Sequence, residues 1–505
     1  MSPAWIAAAV FTYFIFLFII AWITSRNANN KDFFIGSKAS PWYIVAYGMI
    51  GTSLSGVTFI SVPGKVGTAH FAYFQIVIGY LIGYFVIAFV LLPLYYRLNL
   101  TSIYSYLKER FGPVSYKTGA GFFILSRTLG ATLRLYLVIN VLQIFLLPDG
   151  FGYFSLAAFV ILLMILLYTF KGGVKSIVWT DMLQTSFMLL ALVACVWYIK
   201  HHLGLSFGGM FTELNRHHYT EIFMTDPLKG NYFLKHIIGG MFITITMTGL
   251  DQEMMQKNIS CRTLGESQKN MITFSFILVL VNLVFLVLGG VLYLYAEKMQ
   301  LAIPEQTDNL FPIIAMQYLP GIISLVFIIG LISALFPSAD GALTALTSSI
   351  CIDIIGFNEK NIAEQQKTKT RLNVHLIMTV VFFLFVLLFK IINEKAIIDI
   401  LLEIAGYTYG PLLGLFMFGI LTKRQVRDKL VLYVCILAPV ICYVLNILVN
   451  QPKWVNNHPK IVSLLPAWSG VYQIGLEILL INGLLTFGGL FLISKNGREN
   501  VIRSL

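Results

Sequence analysis

Apolar residues run along this chain in long blocks, separated by short polar stretches, and the length of the blocks predicts the elements. A helix needs about 20 apolar residues to cross the hydrocarbon core of a bilayer. Windows of that kind lie at 4–24, 42–64, 71–96, 118–147, 153–170, 176–199, 235–256, 271–297, 320–354, 372–393, 397–421, 430–450 and 470–494. The pattern predicts an all-α polytopic membrane protein with about 13 transmembrane helices, numbered here span one to span thirteen. The longest polar stretch, about 200–234, is too short for a catalytic domain, and no linker or low-complexity segment divides the chain. Residues 1–505 therefore read as a single membrane domain.

Some blocks break the apolar rule in their interiors. Span nine contains Gly330-Leu331-Ile332-Ser333-Ala334-Leu335-Phe336-Pro337-Ser338-Ala339-Asp340-Gly341-Ala342-Leu343-Thr344, with a proline, a carboxylate and several hydroxyls where a bilayer favours hydrocarbon. An ionisable residue inside a span is costly and marks a functional site. Oxygens beside a helix irregularity suit a hard cation such as Na+, which must exchange its water for other oxygens. Hydroxyls also bond back to their own helix, and Ser333 and Thr344 are read that way. Span two alternates glycines and hydroxyls in Gly51-Thr52-Ser53-Leu54-Ser55-Gly56-Val57-Thr58. Such a run either unwinds and offers carbonyls to a cation or forms a small-residue packing face. Span six opens with Trp179, suited to a membrane interface, and Asp181 about one turn deeper, which either ligates a cation or snorkels to the cytosol. Span four carries Arg127 and Arg134, seven residues apart and on roughly one helix face. A buried guanidinium needs a partner, and it is also the preferred fork for a carboxylate. Arg134 thus either receives an anionic substrate or, like Arg127, bonds carbonyls or an internal acid such as Glu403. Asp251 and Gln252, near the inner end of span seven, are expected to pair with loop cations.

Composition agrees: 58% of residues are hydrophobic and 11% charged, against roughly 25% charged in a soluble domain. The net charge of +12 would suit nucleic acid if it were clustered, but it is not. With the N-terminus outside, 23 of the 35 Lys and Arg fall in inside segments, Lys257 among them, nine fall outside, and Lys65, Arg127 and Arg134 lie in or beside spans. The positive-inside rule then sets the N-terminus outside and the C-terminus in the cytoplasm. The five cysteines form no CxxC pair and are read as small buried hydrophobes, without disulfides or a metal cluster. The N-terminus lacks a basic leader before its apolar run, so span one reads as a retained helix. The eight histidines are scattered and no Ser-His pair or metal-ligand cluster stands out, so no enzyme is expected.

The motifs, in their order, resemble the sodium:solute symporter family, which includes the sodium-coupled glucose, sialic acid, iodide and monocarboxylate transporters. The marks are the Gly172-to-Gln184 stretch with Val178-Trp179-Thr180-Asp181, Gly249-Leu250-Asp251-Gln252 followed by Gln256-Lys257, the Ser338–Asp353 stretch, and Gly406-Tyr407 with Gly410-Pro411-Leu412-Leu413-Gly414 running to Thr422-Lys423-Arg424. The resemblance implies a ten-helix core of two inverted five-helix repeats, at 42–199 and 235–421, with a leading helix at 4–24 and two trailing helices at 430–494. It implies import of a small organic solute by alternating access, coupled to Na+ and without an organic cofactor. The implied sodium ligands are the backbone oxygens of Gly51, Leu54 and Ala334 and the hydroxyl of Ser338; the family usually has a second Ser where Pro337 stands. A second cation in some members maps to Asp181, but the usual Ser partners align with Pro337, Asp340 and Gly341. Asp181 and Asp340, if they face each other, would repel; they would then bind a second Na+, share a proton or pair with a basic residue. Implied substrate positions are Ser55, Thr58, Phe74, Gln75, Arg134, Thr244, Met247 and Thr248, with Tyr80 beside them. Sugar transporters often place Asn and aromatic residues in this region, and their absence argues against a hexose. The expected solute is a carboxylate such as sialic acid or a monocarboxylate; the alternatives are a neutral sugar and, in another class, a symporter-like membrane sensor. Partners are the solute, Na+ and membrane lipid, not nucleic acid, and the expected location is a bacterial inner membrane.

Overall fold

The computed structural model describes residues 3–25, 33–34, 40–148, 150–357, 362–392, 397–450 and 471–496. Arg26, Lys31, Lys38, Lys360, Lys395, Lys453, Lys460, Arg498 and Arg503, which enter the charge-based orientation, lie outside the described residues. Helices dominate, as they must where each backbone N–H and C=O has to be satisfied within its own segment. Among the described residues eight are long and apolar enough to cross a bilayer, and three bent pairs bring the number to eleven. Windows one and thirteen hold shorter apolar helices, Ala8–Thr24 and Ile478–Leu492. Spans three, four, eight, nine, ten and twelve are Tyr73–Arg97, Pro113–Phe145, Leu264–Lys298, Gly321–Ile355, Glu364–Ile392 and Asp428–Asn450.

Spans five and six, Phe151–Phe170 and Ser176–His202, join in one run kinked at Gly173, whose φ is 51° and ψ −141°. Glycine is required there: a Cβ would strain the backbone and lie 2.6 Å from the Phe33 Cα.

The bent pairs are span two (Trp42–Ser53 and Gly56–Ala69, 55°), span seven (Phe233–Gly249 and Gln252–Ile259, 66°) and span eleven (Ile397–Thr408 and Gly410–Leu421, 44°). In span two the chain leaves the helix at Leu54 (φ −88°, ψ 79°) and Ser55 (φ −75°, ψ 176°). The flanking Gly51, Ser53 and Gly56 are poor helix formers, so little helical stability is lost by breaking here. In span eleven Pro411 opens the second half, where a missing N–H costs nothing.

Span nine, with span four (78% buried), lies in the core of the protein. Its most apolar window is 72% buried inside the protein, against 22% for span twelve, which must meet lipid. Span one covers span nine through Phe14 and Phe336, with ring centroids 5.0 Å apart, and Ser333 donates to the Tyr13 hydroxyl at 2.8 Å. Beyond the last helix, Ser494–Lys495 pairs antiparallel with Gln425–Val426 after span eleven.

Candidate functional site

The three breaks are finished differently. In span seven the Gly249 and Leu250 carbonyls accept the hydroxyls of Tyr95 (2.8 Å) and Tyr104 (2.9 Å). Asp251 caps the inner half by accepting the Glu253 and Met254 N–H groups at 3.0 and 3.2 Å. In span eleven Asn482 donates to the Gly406 and Tyr407 carbonyls at 3.0 and 2.9 Å. Span two has no such seal: among the described residues the Gly51 and Leu54 carbonyls accept no backbone hydrogen bond. A buried carbonyl without a donor is costly unless something else satisfies it, and a cation does so.

Spans two and nine are neighbours, with the Phe59 and Phe327 ring centroids 5.8 Å apart. Ala334 and Ser338 are wholly buried in span nine. Pro337 has no N–H, so the Ser333 carbonyl, next to Ala334, has no donor four residues on. The Ser338 hydroxyl donates to the Leu335 carbonyl at 2.8 Å, which leaves its oxygen lone pairs available.

A chain of buried charges runs beside the span-two break. The Lys257 ammonium donates to Asp181 Oδ2 and Thr52 Oγ1, both at 2.7 Å, and to Glu253 Oε1 at 3.3 Å. Thr52 also donates to Asp181 Oδ2, at 3.1 Å. Glu253 pairs on its other side with Arg127, whose second nitrogen lies 3.8 Å from Asp251, and Tyr409 donates to Asp251 at 3.1 Å. Asp340 accepts the Tyr168 hydroxyl and the Gly341 N–H, each at 2.5 Å. Gly341 admits Glu253 against span nine: a Cβ there would stand 2.2 Å from Glu253 Oε1.

Two expectations are corrected. Lys257, counted among the inside-loop cations, is only 3% exposed and pairs with Asp181, because the 66° break in span seven turns its second half, Gln252–Ile259, into the core. Asp251 and Gln252 do not pair with loop cations. Asp251 faces Arg127 of span four, and Gln252 holds the backbone of Thr101 and Ile103 at 2.9 and 3.0 Å.

A cavity of about 100 Å³ adjoins this network, with Thr52 and Arg127 in its lining. Of the substrate positions named above, Ser55, Thr58, Arg134, Thr244, Met247 and Thr248 line it, as does Tyr80. Phe74 and Gln75 do not: Gln75 is spent on the Ala72 carbonyl (3.0 Å), the Asn231 carbonyl (3.4 Å) and His236 (3.3 Å). The lining of span three is instead Tyr73, Tyr80 and Tyr84, at spacings that form one helix face. Span eight adds Asn282, and Thr52 and Ser53 complete the rim. The sequence argument against a hexose therefore loses its premise, since an Asn and three aromatic rings do line the cavity. Tyrosines at 73, 80 and 84 were a legible signal; Asn282, a lone polar residue in the apolar run of span eight, was not.

The two arginines differ. The Nε of each is buried without a partner, but Arg127 is engaged by two carboxylates through its other nitrogens, whereas Arg134, 8% exposed, makes no hydrogen bond or ion pair among the described residues. Glu403 lines a larger cavity of about 750 Å³, which shares Tyr73, Ile398 and Leu402 with the small one. At its rim Lys65 of span two forms an ion pair with Asp399 of span eleven.

The model of the sodium:solute symporter family matches residues 33–428. The sodium/sialic acid symporter NanT of Aliivibrio fischeri is 24% identical over 412 residues, 79% of each chain. The sodium-coupled monocarboxylate transporter 1 of Mus musculus is 25% identical over 432 residues, 82% of this chain and 67% of that one. The fold is that of a solved Na+-coupled sialic acid symporter in a substrate-bound, outward-open state, with a TM-score of 0.81, 19% identity, and coverage of 97% of this chain and 99% of that one. This chain belongs to the sodium:solute symporter family.

Proposed function

We propose that this symporter carries a small carboxylate inward with Na+, the carboxylate being received by Arg134. One observation carries the reading: a buried guanidinium in the cavity wall that makes no hydrogen bond or ion pair among the described residues. A cation so placed is costly until an anion arrives, and its fork matches a carboxylate bidentately. Ser55, Thr58, Thr244 and Thr248 supply hydroxyls for the rest of the solute. The cavity of about 100 Å³ is small beside the roughly 300–1,000 Å³ of a typical ligand pocket, which favours a short monocarboxylate over sialic acid. Sodium is held by the Gly51, Leu54 and Ala334 carbonyls and the Ser338 hydroxyl, the reading supported by the unsealed break of span two. Two of the three broken helices, spans two and seven, each begin one of the two five-helix repeats, and the chain sits in a bacterial inner membrane with its N-terminus outside.

A neutral sugar is the second reading, favoured by Asn282 and the tyrosine face. Thermal stabilisation of the purified protein separates the two. Short monocarboxylates should raise the melting temperature in NaCl and not in choline chloride, and Arg134→Ala should abolish the shift. Stabilisation by glucose or galactose alone, unchanged in Arg134→Ala, would replace the carboxylate reading with the sugar one.

A further inference from the structure

The Oδ2 side of Asp181 is already filled, by the protein itself, while its Oδ1 is buried without a hydrogen-bond partner among the described residues. Lys257 places its three-proton ammonium among three oxygens from three spans: Asp181 Oδ2 of span six at 2.7 Å, Thr52 Oγ1 of span two at 2.7 Å and Glu253 Oε1 of span seven at 3.3 Å. An ammonium has three donors, so this set satisfies it fully. These acceptors, two carboxylates and a hydroxyl, are also the ligand types a hard monovalent cation takes. Thr52 follows Gly51 directly, so the cage adjoins the carbonyls assigned to Na+. A mobile cation entering it would stand within bonding distance of a fixed positive charge, and that repulsion is strong away from bulk water.

We propose that the Lys257 ammonium is a tethered cation that occupies the place a second transported ion would take, so that the transporter binds one Na+ per cycle. The tether differs from a bound ion in one respect: it cannot leave. Asp181 keeps this cation beside it in every state of the cycle, Glu253 shares it and Arg127, and only the span-two and span-nine site exchanges its cation with the medium.

The proposal rests on the sodium site at Ser338, and counting bound ions separates the two. Equilibrium binding of ²²Na+ to the purified full chain, by scintillation proximity, is expected to give one ion per wild-type protein, lost in Ser338→Ala. Two ions on the wild type overturn the proposal, and so does a single ion that survives Ser338→Ala and is lost in Asp181→Asn. Lys257→Met removes the charge while keeping the length of the side chain. It is expected to double the count to two, with one ion persisting in Lys257→Met/Ser338→Ala; a count that stays at one in monodisperse Lys257→Met overturns the proposal. If that variant does not fold, the wild-type count decides.

Discussion

Two arginines seven residues apart on one helix meet opposite fates, and the difference is a matter of partners. Arg127 closes a chain of paired charges from Asp251 through Glu253 to Lys257 and Asp181. Removing one member of a buried pair leaves an uncompensated charge, which costs about 3–5 kcal/mol. Arg127→Leu should therefore lower the melting temperature in detergent whether or not solute is present. Arg134 holds no such place in the network. Arg134→Ala should leave stability nearly unchanged and weaken carboxylate binding by about 1.5–3 kcal/mol, roughly 10–150-fold, as for a lost hydrogen bond to a charged group. Arg134→Lys, which keeps the charge but not the fork, should fall between them. Calorimetric titration with a monocarboxylate checks both. The sequence revealed the two arginines and Asp181 but not what joins them. Glu253 and Lys257, four residues apart on one short helix, were legible as a local pair. That Lys257 reaches Asp181, 76 residues away in the chain, depends on how span seven bends, and charge counting assigned the lysine to a loop.

At the scale of the helix, irregularity was well marked in the sequence and its purpose less so. The glycine and hydroxyl run at 51–58 fitted either a break or a small-residue packing face, and the helix does stop at Leu54. Nothing in that pattern distinguished it from the break in span seven, whose carbonyls are sealed by Tyr95 and Tyr104 from other segments. The register of span three was missed in the same way: Phe74 and Gln75 are neighbours of the lining residue Tyr73 but lie on another helix face. The kink between spans five and six gives a direct test of an element. Gly173→Ala forces a Cβ onto a backbone with φ of 51° and against Phe33. A strained residue of this kind costs about 1–3 kcal/mol, so the variant should melt at a lower temperature while its Na+ affinity, if the protein remains folded, is unchanged.

Across the whole molecule, a cavity of about 750 Å³ neighbours one of about 100 Å³, with Tyr73, Ile398 and Leu402 in both linings and Lys65 and Asp399 paired at the larger one. Spans two and eleven thus touch at the rim by opposite charges. Lys65→Glu replaces that attraction with repulsion and should hold the rim apart. A thiol at Thr58→Cys should then react faster with an impermeant methanethiosulfonate reagent than in the Lys65 background. The five native cysteines are buried and give little competing signal. The most direct test of Na+/carboxylate symport is uptake of a radiolabelled short monocarboxylate into proteoliposomes under an imposed Na+ gradient. Wild type should accumulate the solute only with Na+ outside, Ser338→Ala should lose the dependence on Na+ together with uptake, and Arg134→Ala should lose the carboxylate. Uptake that proceeds equally in choline, or that Arg134→Ala leaves intact, would contradict the account.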